Sequence, residues 1–204
     1  MQLPRSSAAY PHRIRFSVYL ERRLRRVGAT ALADEAKATR ERLLSQGRAW
    51  EDSSTPVSEA LADRDALDDG LDATAQTIRL QLASRSIDAT QKAPYTLIFP
   101  DDLRYYTEAP LSAQTSRYQE LKSRLLANLP ADDAVLAQLP AFDALLNDWS
   151  AAYQAAEQAR TQERMLRDQL EATTTEWASL MERIYGSLTA EYGRKSAEAF
   201  FPRT

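Results

Sequence analysis

The amino-acid sequence predicts an all-α protein: an elongated antiparallel bundle of four main helices with coiled-coil-like packing and an extended crossover near residues 93–100. Three observations support this fold class. The 204 residues include only five glycines, and few glycines mean few tight hairpins between strands. Apolar and small residues recur at alternating steps of three and four, the spacing of one helix face. A hydrophobic content of 44 % is enough to build a core, which excludes wholesale disorder.

The longest apolar stripe runs from Pro140 to about Tyr192. Its heptad-like spacing is typical of a helix that packs along its length on other helices. Pro140 suits the first helical turn and Gly193 the C-terminal cap. Glu163 also falls on the stripe, so it is expected to have a polar partner or an edge position. The stripe residues are Phe142, Leu145, Trp149, Ala152, Ala156, Ala159, Leu166, Leu170, Trp177, Leu180, Ile184 and Leu188.

We predict one helical-bundle domain over residues 1–204. An extended arm (1–12) precedes a helical hairpin (13–90), a crossover (93–110), a second helical pair (112–192) and a tail (194–204). In the first helix the apolar stripe changes phase across Gly28, which predicts a kink or a break there. Thr55 and Pro56 suit the start of the second helix, so the hairpin is expected to turn near Asp52.

Charge is distributed unevenly along the chain. Residues 1–50 carry 11 Lys/Arg and four Asp/Glu, whereas residues 51–72 carry one arginine and eight acids. Folded as the predicted hairpin, the chain would be basic at the open end and acidic near the turn. Three interpretations remain open: two solvated faces, head-to-tail assembly of basic on acidic ends, or a phosphate or nucleic-acid surface around Arg13–Arg26.

The chain has no cysteine and one histidine, His12. This excludes disulfides, thiolate metal sites and a cysteine nucleophile, and it leaves no zinc site of the usual kind. Asp65, Asp68, Asp69 and Asp72 share one helix face, which could hold a hard divalent cation or form a solvated acidic stripe. No phosphate loop or nucleophile elbow is present. We therefore predict no catalytic residue, no cofactor and no bound metal.

The sequence also sets an expectation for the compartment. No apolar stretch approaches the roughly 20 residues of a membrane span, and the first ten residues lack the apolar core of a secretory signal. We expect a cytoplasmic protein with no membrane partner. Arginine outnumbers lysine, as in proteins from GC-rich bacterial genomes, which favours a bacterial origin.

The predicted function is that of a non-enzymatic structural or interaction protein, which assembles with itself as a homo-oligomer or docks on a protein partner through its long helices. The alternatives are a nucleic-acid or phosphate binder using the Arg13–Arg26 face and a carboxylate–metal-binding protein. The two aromatics of the tail either fold back on their own bundle or dock on a neighbour. The candidate interaction residues are Arg22, Arg23, Arg25, Arg26, Trp50, Phe200 and Phe201.

Overall fold

A computed structural model describes Pro4 and residues 9–202 of the chain. The predicted all-α class is confirmed: the described residues form long helices and no strand. The α-helices are α1 (Tyr10–Arg26), α2 (Thr30–Asp52), α3 (Ser54–Ala83), α4 (Tyr95–Ile98), α5 (Arg104–Thr107), α6 (Leu111–Asn128), α7 (Leu139–Tyr192) and α8 (Arg194–Glu198). Two short 3-10 segments are Ala89–Gln91 and Leu136–Gln138. None of the helices in the described part of the chain combines the length and apolar character that a bilayer crossing requires.

The chain divides into two compact units. Unit 1 comprises Met1–Pro56 and Arg160–Thr204, and unit 2 comprises Val57–Ala159. The helices α1 and α2 belong to unit 1 and nearly all of α3 belongs to unit 2, so the boundary between the units falls within the range of the predicted hairpin (13–90). Ser53, between α2 and α3, has the backbone angles of an α-helix (φ −70°, ψ −16°).

Within unit 1 the chain reverses direction at Gly28. Gly28 has φ +79°, a left-handed conformation that glycine adopts without steric cost, and the predicted break between α1 and α2 is located there. The two helices then run antiparallel: Arg25 pairs with Asp34 near the turn, and the Tyr10 hydroxyl reaches Glu51 at the far end. The core of unit 1 combines side chains of α1 and α2 with others from the last part of α7, from α8 and from the tail. Its buried residues are Phe16, Leu20, Leu24, Ala33, Ala36, Leu43, Trp177, Leu180, Met181, Ile184, Leu188, Ala197, Phe200 and Phe201.

Unit 2 is built from α3, α6 and the first part of α7. The predicted inward residues of α6, Tyr118, Leu121 and Leu125, are fully buried, and they pack with Leu71 and Phe142 among others. The predicted extended conformation of the crossover near 93–100 is wrong: the segment between α3 and α6 is made of short helical turns, among them α4 and α5. Its Tyr106 hydroxyl donates a 2.7 Å hydrogen bond to the carbonyl of Ile98, which ties α5 to α4.

The predicted long helix is confirmed as α7, which ends at Tyr192 just before Gly193. Gly193 has φ +77° and ψ 157°, a backbone conformation that is essentially restricted to glycine and that ends α7 at the predicted position. Burial along α7 is interrupted: Ala156 and Thr173 are buried, but no residue between them is. The stripe residues Leu166 and Leu170 are only half-buried, and the boundary between the units falls within this interval, at Ala159.

Candidate interaction surfaces

The side of α1 that points away from the core of unit 1 is strongly basic. Phe16, Leu20 and Leu24 face inward and are buried. The outward residues recur at steps of three and four, which places them on one side of the helix. We call them the basic face of α1; its members are Arg15, Val18, Tyr19, Arg22 and Arg26, all exposed.

The three arginines of the basic face are electrostatically uncompensated. Among the described residues, no carboxylate forms an ion pair with Arg15, Arg22 or Arg26. Between them, Val18 and Tyr19 are 41 % and 42 % exposed, which is high for large apolar side chains. A helix face that combines free guanidinium groups with exposed apolar surface is suited to binding a partner with carboxylate or phosphate groups.

The other predicted arginines have internal roles. Arg25 pairs with Glu21 at 3.3 Å and Asp34 at 2.8 Å, and hydrogen bonds to Asp34 and then Glu21 raise the pKa of its guanidinium. The guanidinium of Arg23 lies 5.8 Å from the ring centre of Phe200, a cation–π contact. Arg25 is exposed but paired, so of the four predicted arginines only Arg22 and Arg26 belong to the basic face of α1.

The sequence predicted the arginine cluster, with Arg15 inside the Arg13–Arg26 surface, and missed two members of the face, Val18 and Tyr19. The signal was available, because residues 15, 19, 22 and 26 alternate by four and three. The outward-facing residues of α1 have the same helical spacing as its apolar residues, which alone served to predict the core.

A second charged surface lies on α3, within unit 2. The alanines Ala62, Ala66 and Ala73 are exposed on its outer side, flanked by carboxylates. We call this surface the acidic face of α3; its members are Glu59, Ala62, Asp63, Ala66, Asp69 and Ala73. In the described part of the chain, no Lys or Arg pairs with the three carboxylates of this face.

The predicted stripe of four aspartates is split between the surface and the interior. Asp65 and Asp69 are exposed, and Asp65 pairs with Arg64. Asp68 and Asp72 turn toward α6, where they accept hydrogen bonds from the Gln114 amide and the Tyr118 hydroxyl. The four carboxylates therefore do not converge, and across residues 9–202 no group of three or more Asp, Glu or His side chains is arranged to hold a metal ion.

Burial and neighbouring charge raise the pKa values of Asp68 and Tyr118. Partial burial, followed by the charges of Asp72, Asp69 and Asp65, raises the pKa of Asp68 to about 6. Burial and the hydrogen bond to Asp72 raise the pKa of Tyr118 far above its ordinary value, so this hydroxyl remains a donor. Polar atoms nearby are orphaned, since Gln114 Oε1 and Trp149 Nε1 are buried without a hydrogen-bond partner.

Trp50 lines a half-open groove of about 790 Å³ in unit 1, together with Tyr10, Glu51, Leu170 and Trp177 among others. The ring of Tyr10 lies directly on α2 at Gly47, where a Cβ atom would stand 2.4 Å from Tyr10 Cε2. The Tyr10 hydroxyl donates a 2.7 Å hydrogen bond to Glu51 Oε2. Trp50 is thus half-buried, with part of its indole in the groove wall.

The tail aromatics fold back on their own chain, the first of the two predicted alternatives. Phe200 and Phe201 are 6 % and 3 % exposed. The ring of Phe201 lies 5.9 Å from Phe16 and 5.8 Å from Tyr185, measured between ring centres. These residues form part of the core of unit 1.

Comparison with known proteins gives no relative from which a function could be transferred. The sequence matches no protein-family model, and neither the curated proteins nor the solved structures match it significantly. The surfaces described above are therefore the basis for a functional hypothesis.

Proposed function

We propose that this chain is a non-enzymatic interaction protein that docks on another protein surface through the basic face of α1. The observation that carries the proposal is the combination of three uncompensated arginines, Arg15, Arg22 and Arg26, with two exposed apolar side chains on one helix side. Burying Val18 and Tyr19 would supply affinity, and the arginines would supply orientation through charge-assisted hydrogen bonds.

The presentation of the face supports this role. The opposite side of α1 is buried in the core of unit 1, and Glu21 of α1 pairs with Arg40 of α2 at 3.3 Å. The basic face is thus displayed on a braced helix, so little conformational entropy would be lost on docking.

A nucleic-acid partner is the second candidate, favoured by one observation. Tyr19 lies among the arginines, where its ring could stack on a base while the guanidinium groups meet phosphates. A protein partner is favoured because the uncompensated arginines are only three and span about 16 Å of helix, whereas the chain as a whole has a net charge of −3.

Site-specific photo-crosslinking tests the proposal. A photoreactive phenylalanine analogue placed at position 19 of the full chain, and activated in the expressing cell, is expected to yield protein adducts. The matched control is the same analogue at Leu126, which is 54 % exposed on the outer side of α6.

The adducts discriminate between the candidates. Protease-sensitive adducts at position 19, in clear excess over position 126, support protein docking. Nuclease-sensitive adducts would replace the proposal with the nucleic-acid alternative. Equal yields at both positions would show that the basic face of α1 is not an interaction surface.

A further inference from the structure

We infer that the partner of the basic face of α1 is the acidic face of α3 in a second copy of the same chain. This inference rests on the proposed function and names the occupant of the same surface. Each face is an exposed helix side whose charges lack partners among the described residues: Arg15, Arg22 and Arg26 on one, and Glu59, Asp63 and Asp69 on the other. Juxtaposing them would neutralise both at once.

The spacing of the charges matches in an antiparallel alignment. Arg26 and Arg22 are four residues apart, as are Glu59 and Asp63, which corresponds to about 6 Å along each helix. Arg22 and Arg15 are seven residues apart, and Asp63 and Asp69 six, about 10 Å and 9 Å. Arg26 would therefore lie opposite Glu59, Arg22 opposite Asp63, and Arg15 opposite Asp69. In a parallel alignment the seven-residue interval between Arg15 and Arg22 would face the four-residue interval between Glu59 and Asp63, and the charges would not match.

The apolar residues of the two faces also correspond. In the antiparallel alignment Tyr19 lies opposite Ala66, so a large side chain meets a small one. Ala62, Ala66 and Ala73 leave a shallow surface on which long arginine side chains can lie flat, with their guanidinium groups reaching the flanking carboxylates. The exposed Val18 would be covered at the same time.

This contact joins two different surfaces, so it is heterologous. After one contact, one copy still has a free basic face and the other a free acidic face. Further copies can therefore bind at either end, which gives a closed ring or an open filament. The inference therefore predicts association beyond a simple symmetric dimer. Because the pairs are charged and lie at the surface, association should weaken as salt rises.

Charge reversal tests the pairing. One variant carries Arg15→Glu, Arg22→Glu and Arg26→Glu, and the other carries Glu59→Lys, Asp63→Lys and Asp69→Lys. Molar mass is measured by light scattering after size exclusion, at about 50 mM and about 500 mM salt. The unmodified chain is expected to exceed 23.0 kDa at low salt and to approach it at high salt. Each variant alone should associate at least about 100-fold more weakly, and an equimolar mixture of the two should recover association.

A control variant separates this effect from net charge. Arg104→Glu, Arg164→Glu and Arg194→Glu reverse three exposed arginines elsewhere and should leave association unchanged. Circular dichroism confirms that each variant retains its helix content before its mass is compared.

Disulfide trapping tests the register, and the absence of native cysteines makes the readout clean. A chain carrying Val18→Cys mixed with a chain carrying Ala66→Cys should form a mixed disulfide under mild oxidation. Val18→Cys mixed with Ala127→Cys, an exposed position on α6, should not.

Two results would overturn the inference: a 23.0 kDa monomer up to about 1 mM protein at low salt, or a mixture of reversed variants that fails to recover association. Adducts at position 19 to a different protein, with the purified chain monomeric, would leave the proposed function standing and remove only the second copy as the partner. If position 19 gives no protein adducts and the purified chain does not associate, the proposed function and this inference are both wrong.

Discussion

The indole Nε1 of Trp177 donates a 2.7 Å hydrogen bond to the hydroxyl of Ser17 in the interior of unit 1. Both residues are buried, and 160 positions separate them in the sequence. Ser17 in turn donates to the carbonyl of Arg13, one turn earlier in α1. We expect this bond to act with the buried Phe16, Leu20 and Leu24 in orienting α1, so that its basic face points to solvent.

Replacing the serine tests that role. Ser17→Ala leaves the Trp177 N–H buried without a partner, which is expected to lower the free energy of unfolding by about 1–3 kcal/mol. Urea unfolding followed by circular dichroism measures the change. Ser187→Ala is the matched control, since Ser187 also bonds a carbonyl one turn back but is exposed on α7. Equal effects of the two changes would contradict the account.

The buried tail is expected to be essential to unit 1. Phe201→Ala removes a ring that packs on Phe16 and Tyr185, and the transfer and cavity terms together should cost about 3–5 kcal/mol. Met165→Ala is the control: Met165 lies on α7 and is 51 % exposed, so this change should alter the free energy of unfolding by less than about 0.5 kcal/mol. Thermal unfolding of the two variants provides the comparison, and a Phe201 variant as stable as the control would place the tail outside the core.

The turn at Gly28 offers a prediction about the backbone alone. Nothing lies within 4 Å of a Cβ atom at this position, so Gly28→Ala meets no steric clash with its surroundings. Its φ of +79° nevertheless disfavours any L-residue, and a cost of about 1–2 kcal/mol is expected.

Gly186→Ala provides the opposite control. Gly186 lies inside α7, also with open space around it, and alanine should stabilise the helix by up to about 1 kcal/mol. Chemical denaturation of both variants should therefore give changes of opposite sign. Changes of the same sign would contradict the assigned turn.

Asp68 predicts a pH dependence of stability. Its pKa of about 6 in the folded chain lies above the ordinary 3.8, so the folded state holds the proton more tightly than the unfolded state. Stability from this group is therefore greatest below about pH 3.8 and is lost as pH rises to about 6. Asp68→Asn mimics the protonated form and can still accept the hydrogen bond from Gln114.

The variant should exceed the parent in urea midpoint at about pH 7.5, and the gap should close near pH 4. Asp168→Asn, an exposed carboxylate on α7, should show no such trend. An Asp68 variant less stable than the parent at about pH 7.5 would show that the carboxylate is held by attraction and not by burial.

The local structure of the chain was largely predictable. The bounds of α6 and α7, the break at Gly28 and the cap at Gly193 follow from periodicity and backbone chemistry, which act over a few residues. The partners of each helix were not predictable in the same way. Pro56 and the serines before it suggested a reversal, but a proline in the first turn of a helix does not specify the direction of the preceding chain.

The sequence contained a sign of the division into two units, but the continuous apolar spacing of α7 made it easy to overlook. The apolar spacing runs through the whole of α7, yet Glu163 falls on the stripe, and Arg160, Arg164 and Arg167 lie close by. A polar residue on the stripe marks the interval in which burial lapses. The inward rotation of Asp68 and the Ser17–Trp177 bond depend on tertiary placement, for which no local pattern exists.

The most direct test of the central claim, that the basic face of α1 is the docking surface, combines two of the changes above. Photo-crosslinking from position 19 is compared between the parent chain and the chain carrying Arg15→Glu, Arg22→Glu and Arg26→Glu. We predict protein adducts in the parent and their loss in the reversed chain, while the Arg104, Arg164 and Arg194 control retains them. Adducts that persist unchanged after reversal of the three arginines would contradict the claim.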